Sequence, residues 1–166
     1  MTDTISVVVA LGSNLGDSTE VIRDAFVALE ALADSPVQCS SLWASEPVDC
    51  PPDSPDFVNA VAVFEVSEGT NPEGLLRSLK ELEADFGRRP KKVHNEPRPL
   101  DLDLICFGDV AMQSAELTLP HPRAHLRSFV ILPLNELCPE LDFRGAGKRV
   151  RDLAVELGGD PGIRKI

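Results

Sequence analysis

The sequence predicts an α+β domain of the ferredoxin-like, split βαβ class, with an antiparallel sheet, helices packed on one face and C-terminal additions. Three observations predict it. The inferred elements follow the order strand, helix, strand, strand, helix, strand. The first strand is apolar along its whole length, as in a strand covered on both faces. The chain of 166 residues fits one domain, which we expect to span residues 1–166.

The first strand is predicted over residues 5–11, where ISVVVAL is apolar and rich in β-branched side chains. It stops at the turn of residues 12–14. Asp17, followed three residues later by Glu20, resembles a capping box that opens a helix. A second strand is predicted over residues 37–44. The apolar side chains of the first helix recur at helical spacing, at Ile22, Phe26, Leu29 and Ala33.

The second half begins with a proline-rich stretch, residues 46–56, which predicts a stiff irregular loop. A third strand follows over residues 57–65. Asn71 and Pro72 supply an N-cap and a first-turn proline for a second helix, and Gly87 is placed to end it. The apolar stripe of that helix is Leu75, Leu79, Leu82 and Phe86.

The last predicted strand covers residues 100–107 and ends at a turn at Gly108 and Asp109. Less regular structure follows, with short helices possible over residues 128–137 and 150–157.

The four cysteines show no metal or redox spacing, so a disulfide framework is not expected.

The formal charge of −11 argues against a nucleic-acid-binding protein, which needs a basic surface. Residues 88–98 are nevertheless strongly basic, which suggests a small polyanionic ligand such as a nucleotide. A solvated basic loop is the alternative.

The N-terminal apolar run is too short to span a bilayer and has no basic leader. We therefore expect a soluble, cytoplasmic monomer with no membrane or nucleic-acid partner.

The stretch from residue 100 to 107 is the most informative. On a strand, alternate side chains share a face, so Asp101 and Asp103 lie together, followed on that face by Ile105 and Phe107. Carboxylates at this spacing are roughly 6–7 Å apart and can bind Mg²⁺, which keeps waters and phosphate oxygens in its shell. The alternative is an ordinary solvent-facing alternation. Arg98 beside this pair could neutralise charge on a transferred phosphoryl group, or simply pair with a nearby acid.

Three weaker patterns accompany the aspartates. His121 and Arg127 could donate to phosphates, with Phe129 beginning an apolar run. Phe57 and Asn59 share a strand face, and an amide beside an aromatic ring suits the mixed edge of a heterocycle. Each of these two patterns also has an ordinary structural explanation. His121 would be a turn residue and Phe129 a core residue, while Phe57 would be a core residue and Asn59 an exposed one. Gly12 allows close backbone approach, but neither a P-loop nor a dinucleotide fingerprint follows it.

Taken in order, these segments resemble one family, 6-hydroxymethyl-7,8-dihydropterin pyrophosphokinase of folate biosynthesis. The resemblance implies a ferredoxin-like enzyme that binds ATP with two Mg²⁺ ions and then the pterin, whose hydroxyl attacks the β-phosphorus while AMP leaves. It covers nearly the whole chain, through residues 10–17 (ALGSNLGD), 40–47 (SSLWASEP), 55–65 (PDFVNAVAVFE), 97–109 (PRPLDLDLICFGD) and 117–134 (LTLPHPRAHLRSFVILPL).

The resemblance also implies roles for individual residues. Asp101 and Asp103 would hold the metal ions and, with Arg88 and Arg98, form the catalytic set. The pterin would contact Asn14, Ser45, Val48, Phe57, Asn59 and Phe129. ATP would contact Lys80, Glu83, Arg88, Arg98, Leu104, Thr118, His121 and Arg127.

The sequence departs from many family members at Asn95 and Glu96, where tryptophan and glycine are common, so an aromatic cover from that loop is not expected. Pro122 replaces a frequent aromatic, and Glu116 stands where some members place an arginine. Two other classes stay open at this point: a palm-like nucleotidyl transferase, which releases pyrophosphate, and a regulatory domain that binds neither Mg²⁺ nor nucleotide.

Overall fold

The computed structural model describes residues 3–14, 17–47, 55–87 and 99–166. Its four α-helices are α1 (Ser18–Leu29), α2 (Pro72–Asp85), α3 (Ser128–Leu137) and α4 (Val150–Leu157). Its strands are β1 (Thr4–Ser13), β2 (Gln38–Cys39), β3 (Trp43–Ser45), β4 (Phe57–Ser67), β5 (Asp101–Phe107), β6 (Met112–Gln113), β7 (Thr118–Leu119), β8 (Asp142–Phe143), β9 (Lys148–Arg149) and β10 (Ile163–Lys165).

The main sheet is antiparallel in every pair and has the order β10-β3-β4-β1-β5, with β2 also paired to β4. The long strands β1 and β4 form its centre, and β5 lies at one edge. Strands β6 and β7 form one small hairpin, and β8 and β9 form another. The architecture is therefore α+β, as the element order predicts.

Each face of the sheet carries its own hydrophobic core. On the first face, α1 and α2 pack Ile22, Leu29 and Leu79 against the odd-numbered side chains of β1. On the second face, the C-terminal helices α3 and α4 pack against Val8, Ala10 and other side chains of β1, β4 and β5. This two-sided cover explains why β1 is apolar at successive positions.

The predicted helix signals are confirmed. The Asp17 carboxylate accepts a hydrogen bond from the Glu20 N–H at 3.3 Å, and α1 begins at the next residue. The Asn71 side chain accepts from the N–H groups of Glu73 and Gly74, one residue before α2 begins. Gly87 follows α2 with φ of 86°, a backbone conformation that glycine adopts without strain. The two short C-terminal helices have the predicted bounds.

The predicted second strand is interrupted at Ser40. The Ser40 N–H donates to the Val61 carbonyl at 2.9 Å, and its hydroxyl accepts from the Val61 N–H at 2.8 Å. One serine thus satisfies both backbone groups of Val61, and residues 40–42 separate β2 from β3. The signal for this break is the side chain of Ser40, which competes with ordinary strand pairing.

The predicted face of Phe107 is wrong, because β5 contains a β-bulge. Val8 pairs with Cys106 and Val9 with Leu104, so Ile105 has no opposite residue on β1. Beyond the bulge the alternation shifts by one position. Phe107 therefore belongs to the first-face core, and Cys106 packs with Ile105 on the second face.

Three further features were not predicted: the hairpins β6–β7 and β8–β9, and the C-terminal strand β10. Each involves strands of only two or three residues, too short for a periodic pattern.

Among the described helices, none has the length and apolar character needed to cross a bilayer.

Leu79→Ala should lower the free energy of unfolding by about 2–5 kcal/mol, because Leu79 is fully buried between α2 and the sheet and its loss leaves a cavity. Val27→Ala on α1 is the control, since that side chain is 65% exposed and should change stability little. Urea unfolding measures both, and equal effects would contradict this packing.

Candidate active site

One row of paired residues crosses the second face of the sheet. Trp43 on β3 pairs with Asn59 on β4, Asn59 pairs with Gly12 on β1, and Gly12 pairs with Asp101 on β5. Residues paired in this way project to the same face. The candidate aromatic and amide of β4 are therefore separated from the aspartates of β5 by β1 alone, which the sequence spacing could not establish.

Gly12 forms the floor between these groups. A Cβ atom added there would lie 3.6 Å from Phe57 Cδ1 and 3.8 Å from Asn59 Oδ1. Among the described residues, the missing side chain thus leaves room between β4 and β5. The predicted turn at this glycine is wrong, because β1 continues to Ser13. Gly12 is a strand glycine of the kind that permits close approach of a ligand.

Asn59 is held in one orientation. It is 3% exposed, and its Nδ2 donates to Ser45 Oγ at 2.7 Å and to the Trp43 carbonyl at 3.3 Å. Both amide hydrogens are therefore engaged by β3. The acceptor Oδ1 remains on the side of Gly12, so Asn59 presents a hydrogen-bond acceptor to this space.

Asp101 and Asp103 share the second face, as predicted. Asp101 pairs with Gly12 and Asp103 with Ala10, while Leu102 between them belongs to the first-face core. Burial raises the pKa of Asp103 to about 6, and the like charge of Asp101 adds to the effect. Lys80 and Arg127 oppose this rise. The pair therefore concentrates negative charge at one end of β5.

The segment of residues 121–129 lies beside this pair. The His121 N–H donates to the Ile105 carbonyl at 2.9 Å, so the bulge in β5 anchors the segment. The Arg127 guanidinium lies 5.6 Å from the centre of the Phe129 ring, and its charge acts on both Asp103 and His121. The structure thus brings together these predicted residues and Asp103.

His121 is held as a neutral donor. Burial first, and then the charges of Arg127 and Arg123, lower its pKa from the ordinary value. Its Nδ1 accepts from the Arg123 N–H at 3.2 Å. The ring proton therefore lies on Nε2, which is available to donate at neutral pH.

Glu83 occupies a structural position at the edge of the sheet. It is 2% exposed, and its Oε2 accepts from the Leu102 N–H at 2.7 Å, while Lys80 Nζ lies 3.4 Å from Oε1. As a member of the edge strand, Leu102 needs an acceptor from outside the sheet, and α2 provides it. Glu83 therefore fixes the strand that carries the aspartates.

The remaining predicted residues lie in several places. Asn14 is buried and its Nδ2 donates to the Pro55 carbonyl at 3.4 Å, which joins the end of β1 to the start of β4. The side chain of Leu104 packs in the first-face core, and Thr118 is half-buried in β7. Glu116 pairs with Arg77 at 2.8 Å. Val48, Arg88, Arg98 and the residues Asn95 and Glu96 lie outside the described residues.

Sequence reasoning missed Glu136. This α3 carboxylate accepts from Ser41 N and Oγ and from Trp43 Nε1, at 3.2, 2.7 and 3.0 Å, and Lys165 lies 3.3 Å away. These donors hold its pKa low against the opposing effect of partial burial. No periodicity in the sequence links residues 93 or more positions apart, so only the fold could reveal this contact.

Oxygen donors are the metal-binding chemistry that the site offers. Within the described ranges, no group of three or more His, Cys, Asp or Glu side chains converges on one point. Two carboxylates without histidine or thiolate suit Mg²⁺, which takes one or two protein carboxylates and completes its shell with water and phosphate.

Comparison with known proteins agrees with these observations. A family model described as 7,8-dihydro-6-hydroxymethylpterin-pyrophosphokinase matches residues 8–139. The chain is similar to the 2-amino-4-hydroxy-6-hydroxymethyldihydropteridine pyrophosphokinases of Synechocystis sp., with 36% identity over 90% of this chain and 75% of the relative, and of Haemophilus influenzae, with 39% identity over 82% and 84%. A mitochondrial folate synthesis bifunctional protein of Arabidopsis thaliana is 36% identical over 92% of this chain and 27% of its own length.

Solved structures share the fold. A structure of HPPK-DHPS in complex with substrates has a TM-score of 0.77 at 11% identity, covering 99% of this chain and 47% of its own length. The wild-type HPPK-DHPS of Plasmodium falciparum has a TM-score of 0.73 at 13% identity, covering 99% and 47%. This chain therefore spans about half the length of those bifunctional proteins, and at these identities the likeness concerns the fold.

Asp103→Asn should stabilise the metal-free protein in a pH-dependent way. The folded pKa of about 6 exceeds the unfolded value near 3.9, so Asp103 costs stability as pH rises through about 4 to 6. The gain from the variant should be absent below pH 4 and reach on the order of 1–3 kcal/mol at pH 7. Urea unfolding with a chelator measures it, with Asp109→Asn as an exposed control. A gain that shrinks as pH rises would contradict the assignment.

Glu83→Ala should destabilise the fold by about 1–3 kcal/mol, because the Leu102 N–H loses its buried acceptor. Glu83→Gln keeps an oxygen at the same position and should cost less. Thermal unfolding and hydrogen exchange at the Leu102 amide test this. An amide equally protected in the alanine variant would show that the contact does not hold β5.

Proposed function

This chain belongs to the 7,8-dihydro-6-hydroxymethylpterin-pyrophosphokinase family, and we propose that Asp101 and Asp103 carry the reaction of that family. It is a pyrophosphokinase of folate biosynthesis that uses ATP as co-substrate. The observation that carries the proposed site is the pairing of Asp101 with Gly12 and of Gly12 with Asn59 on one face. It supports an acidic pair beside a glycine-floored space with a fixed amide, as far as the described residues extend.

The reaction joins the hydroxymethyl oxygen of the pterin to the β-phosphorus of ATP. The bond between that phosphorus and the oxygen linking it to the α-phosphate breaks, and AMP leaves while the hydroxyl loses its proton. The described site residues include no nucleophile placed to form a covalent intermediate. Phosphoryl transfer needs none, because positioning and charge stabilisation supply most of the catalysis. Family membership thus decides against the nucleotidyl transferase and regulatory alternatives.

We propose that the two aspartates hold two Mg²⁺ ions against the phosphates of ATP. The raised pKa of Asp103, caused first by burial and then by the charge of Asp101, supports this, since a nearby cation would favour the charged carboxylate. When bound, the ions would supply Lewis-acid neutralisation of phosphate charge. The protein's own part is to keep both carboxylates on one rigid strand, with Leu102 anchored by Glu83.

The pterin is proposed to lie over Gly12, beside Phe57 and Asn59, with Phe129 on the α3 side and with Asn14, Ser45 and Val48 around it. Asn59 Oδ1 would accept from a donor group on the heterocycle's edge, because Ser45 and Trp43 already hold both amide hydrogens. Gly12 leaves the room that a flat ring needs.

ATP is proposed to contact the cationic side chains around Asp103. Lys80 and Arg127 both act on the Asp103 carboxylate, so they are near enough to share its phosphate partners. Neutral His121 would donate from Nε2. Arg88 and Arg98 complete the predicted catalytic set. Glu83, Thr118 and the backbone of Leu104 would line the nucleotide site, because the Leu104 side chain lies in the first-face core.

The fold is proposed to be ferredoxin-like, supported by the order β3-β4-β1-β5 and by α1 and α2 on one face. We further propose one domain over residues 1–166 and a cytoplasmic monomer.

Asp103→Ala and Asp101→Ala should each abolish formation of AMP from ATP, Mg²⁺ and the hydroxymethyl-dihydropterin, with the fold retained. Asp109→Ala is the matched control, an 85% exposed carboxylate just beyond β5, and should keep wild-type activity. Separation of AMP from pyrophosphate by chromatography identifies the reaction. Near-wild-type turnover in either strand variant would refute the metal role.

A further inference from the structure

The C-terminal segment, residues 160–165, connects two parts of the chain that flank the proposed pterin site. We infer that Asp160 is a positioning residue for pterin binding, because it joins the start of α3 to the end of β3. This inference rests on the proposed function, since it concerns the proposed pterin site. It assigns no contact between Asp160 and either substrate.

The first connection is made by β10. Ile163 pairs with Ser45, and Lys165 pairs with Trp43, so β10 extends the sheet beyond the strand that orients Asn59. Immediately after β3, the Glu46 N–H donates to the Gly162 carbonyl at 2.9 Å. The position of residues 45–46 is therefore coupled to the position of Gly162.

The second connection is made by the Asp160 side chain. Its Oδ2 accepts from Ser128 Oγ at 2.7 Å, and its Oδ1 accepts from the Gly162 N–H at 2.8 Å. One carboxylate thus joins the first residue of α3 to the residue that Glu46 contacts. These hydrogen bonds, led by the one from Ser128, lower the pKa of Asp160 from its ordinary value, so both are made by the charged form.

The position of Ser128 matters because its two neighbours along the chain belong to the proposed active site. Phe129 follows it, and Arg127 before it acts on Asp103 while lying over the Phe129 ring. The Arg127 side chain makes no capping hydrogen bond at the start of α3. Asp160 supplies a negative charge at this helix start, which the helix dipole favours.

Glu136 holds the other half of the same helix through Ser41 and Trp43. With that end fixed, loss of the Asp160 contact would release mainly the first turn of α3. The expected consequence is weaker pterin binding through Phe129, with a smaller change in ATP binding. Of the proposed ATP contacts only Arg127 adjoins Ser128, while Asp101, Asp103 and Lys80 lie on other elements.

The test compares Asp160→Ala, Asp160→Asn, Ser128→Ala and the double variant Asp160→Ala/Ser128→Ala in the AMP-release assay. Asp160→Ala should raise KM for the pterin about 3- to 10-fold, the worth of one hydrogen bond, and leave KM for ATP within about 2-fold. Asp160→Asn should restore most of the loss, since an amide can still link Ser128 and Gly162. The double variant should be no worse than Asp160→Ala alone, because Ser128→Ala removes only a hydrogen bond that Asp160→Ala has already removed.

Asp24→Ala, which removes an exposed carboxylate from α1 on the opposite face, is the control, and thermal unfolding is measured for every variant. An unchanged pterin KM in Asp160→Ala, or a parallel rise in both KM values that follows the loss of stability, overturns the inference while leaving the proposed function intact. Absence of AMP formation by the wild-type protein overturns the proposed function and, with it, this inference.

Discussion

The repulsion between two half-buried carboxylates on one strand is the constraint on which the site depends. Asp101 and Asp103 cannot move apart, because β5 pairs with β1 on one side and Glu83 holds Leu102 on the other. Burial and, after it, the charge of Asp101 raise the pKa of Asp103, which lowers the stability of the metal-free fold at neutral pH. The cations and polyphosphate proposed to bind here would offset that loss of stability.

The two faces of the sheet have different roles: one stabilises the fold, and the other also carries the candidate active site. The first face is closed by α1 and α2 and contributes stability through a continuous apolar core. The second face is apolar only under α3 and α4. Toward the ends of β1 and β4 it becomes polar, with Gly12, Asn59 and the aspartates. The elements that hold this polar end in place are the bulge at Ile105, the Ser45 hydroxyl and the α3 carboxylate Glu136.

Much of the fold was predictable because its signals are local. The caps at Asp17 and Asn71, the helical stripe of α2 and the apolar β1 each follow from neighbouring residues. The face of Phe107 was not predictable, because a bulge depends on register with another strand, and a one-residue shift reverses every later side chain. The break at Ser40 and the short β10 were missed for the same reason: both are defined by partners distant in sequence.

The sequence by itself determined the α+β class, the family and the aspartate pair, because strand alternation and ordered motifs are properties of consecutive residues. Only the tertiary structure decided that Gly12 separates Asn59 from Asp101, that Glu83 supports β5 and that the C-terminal segment joins β3 to α3. These relations arise when strands pair and helices pack across long sequence separations, and no local pattern records which distant groups will meet.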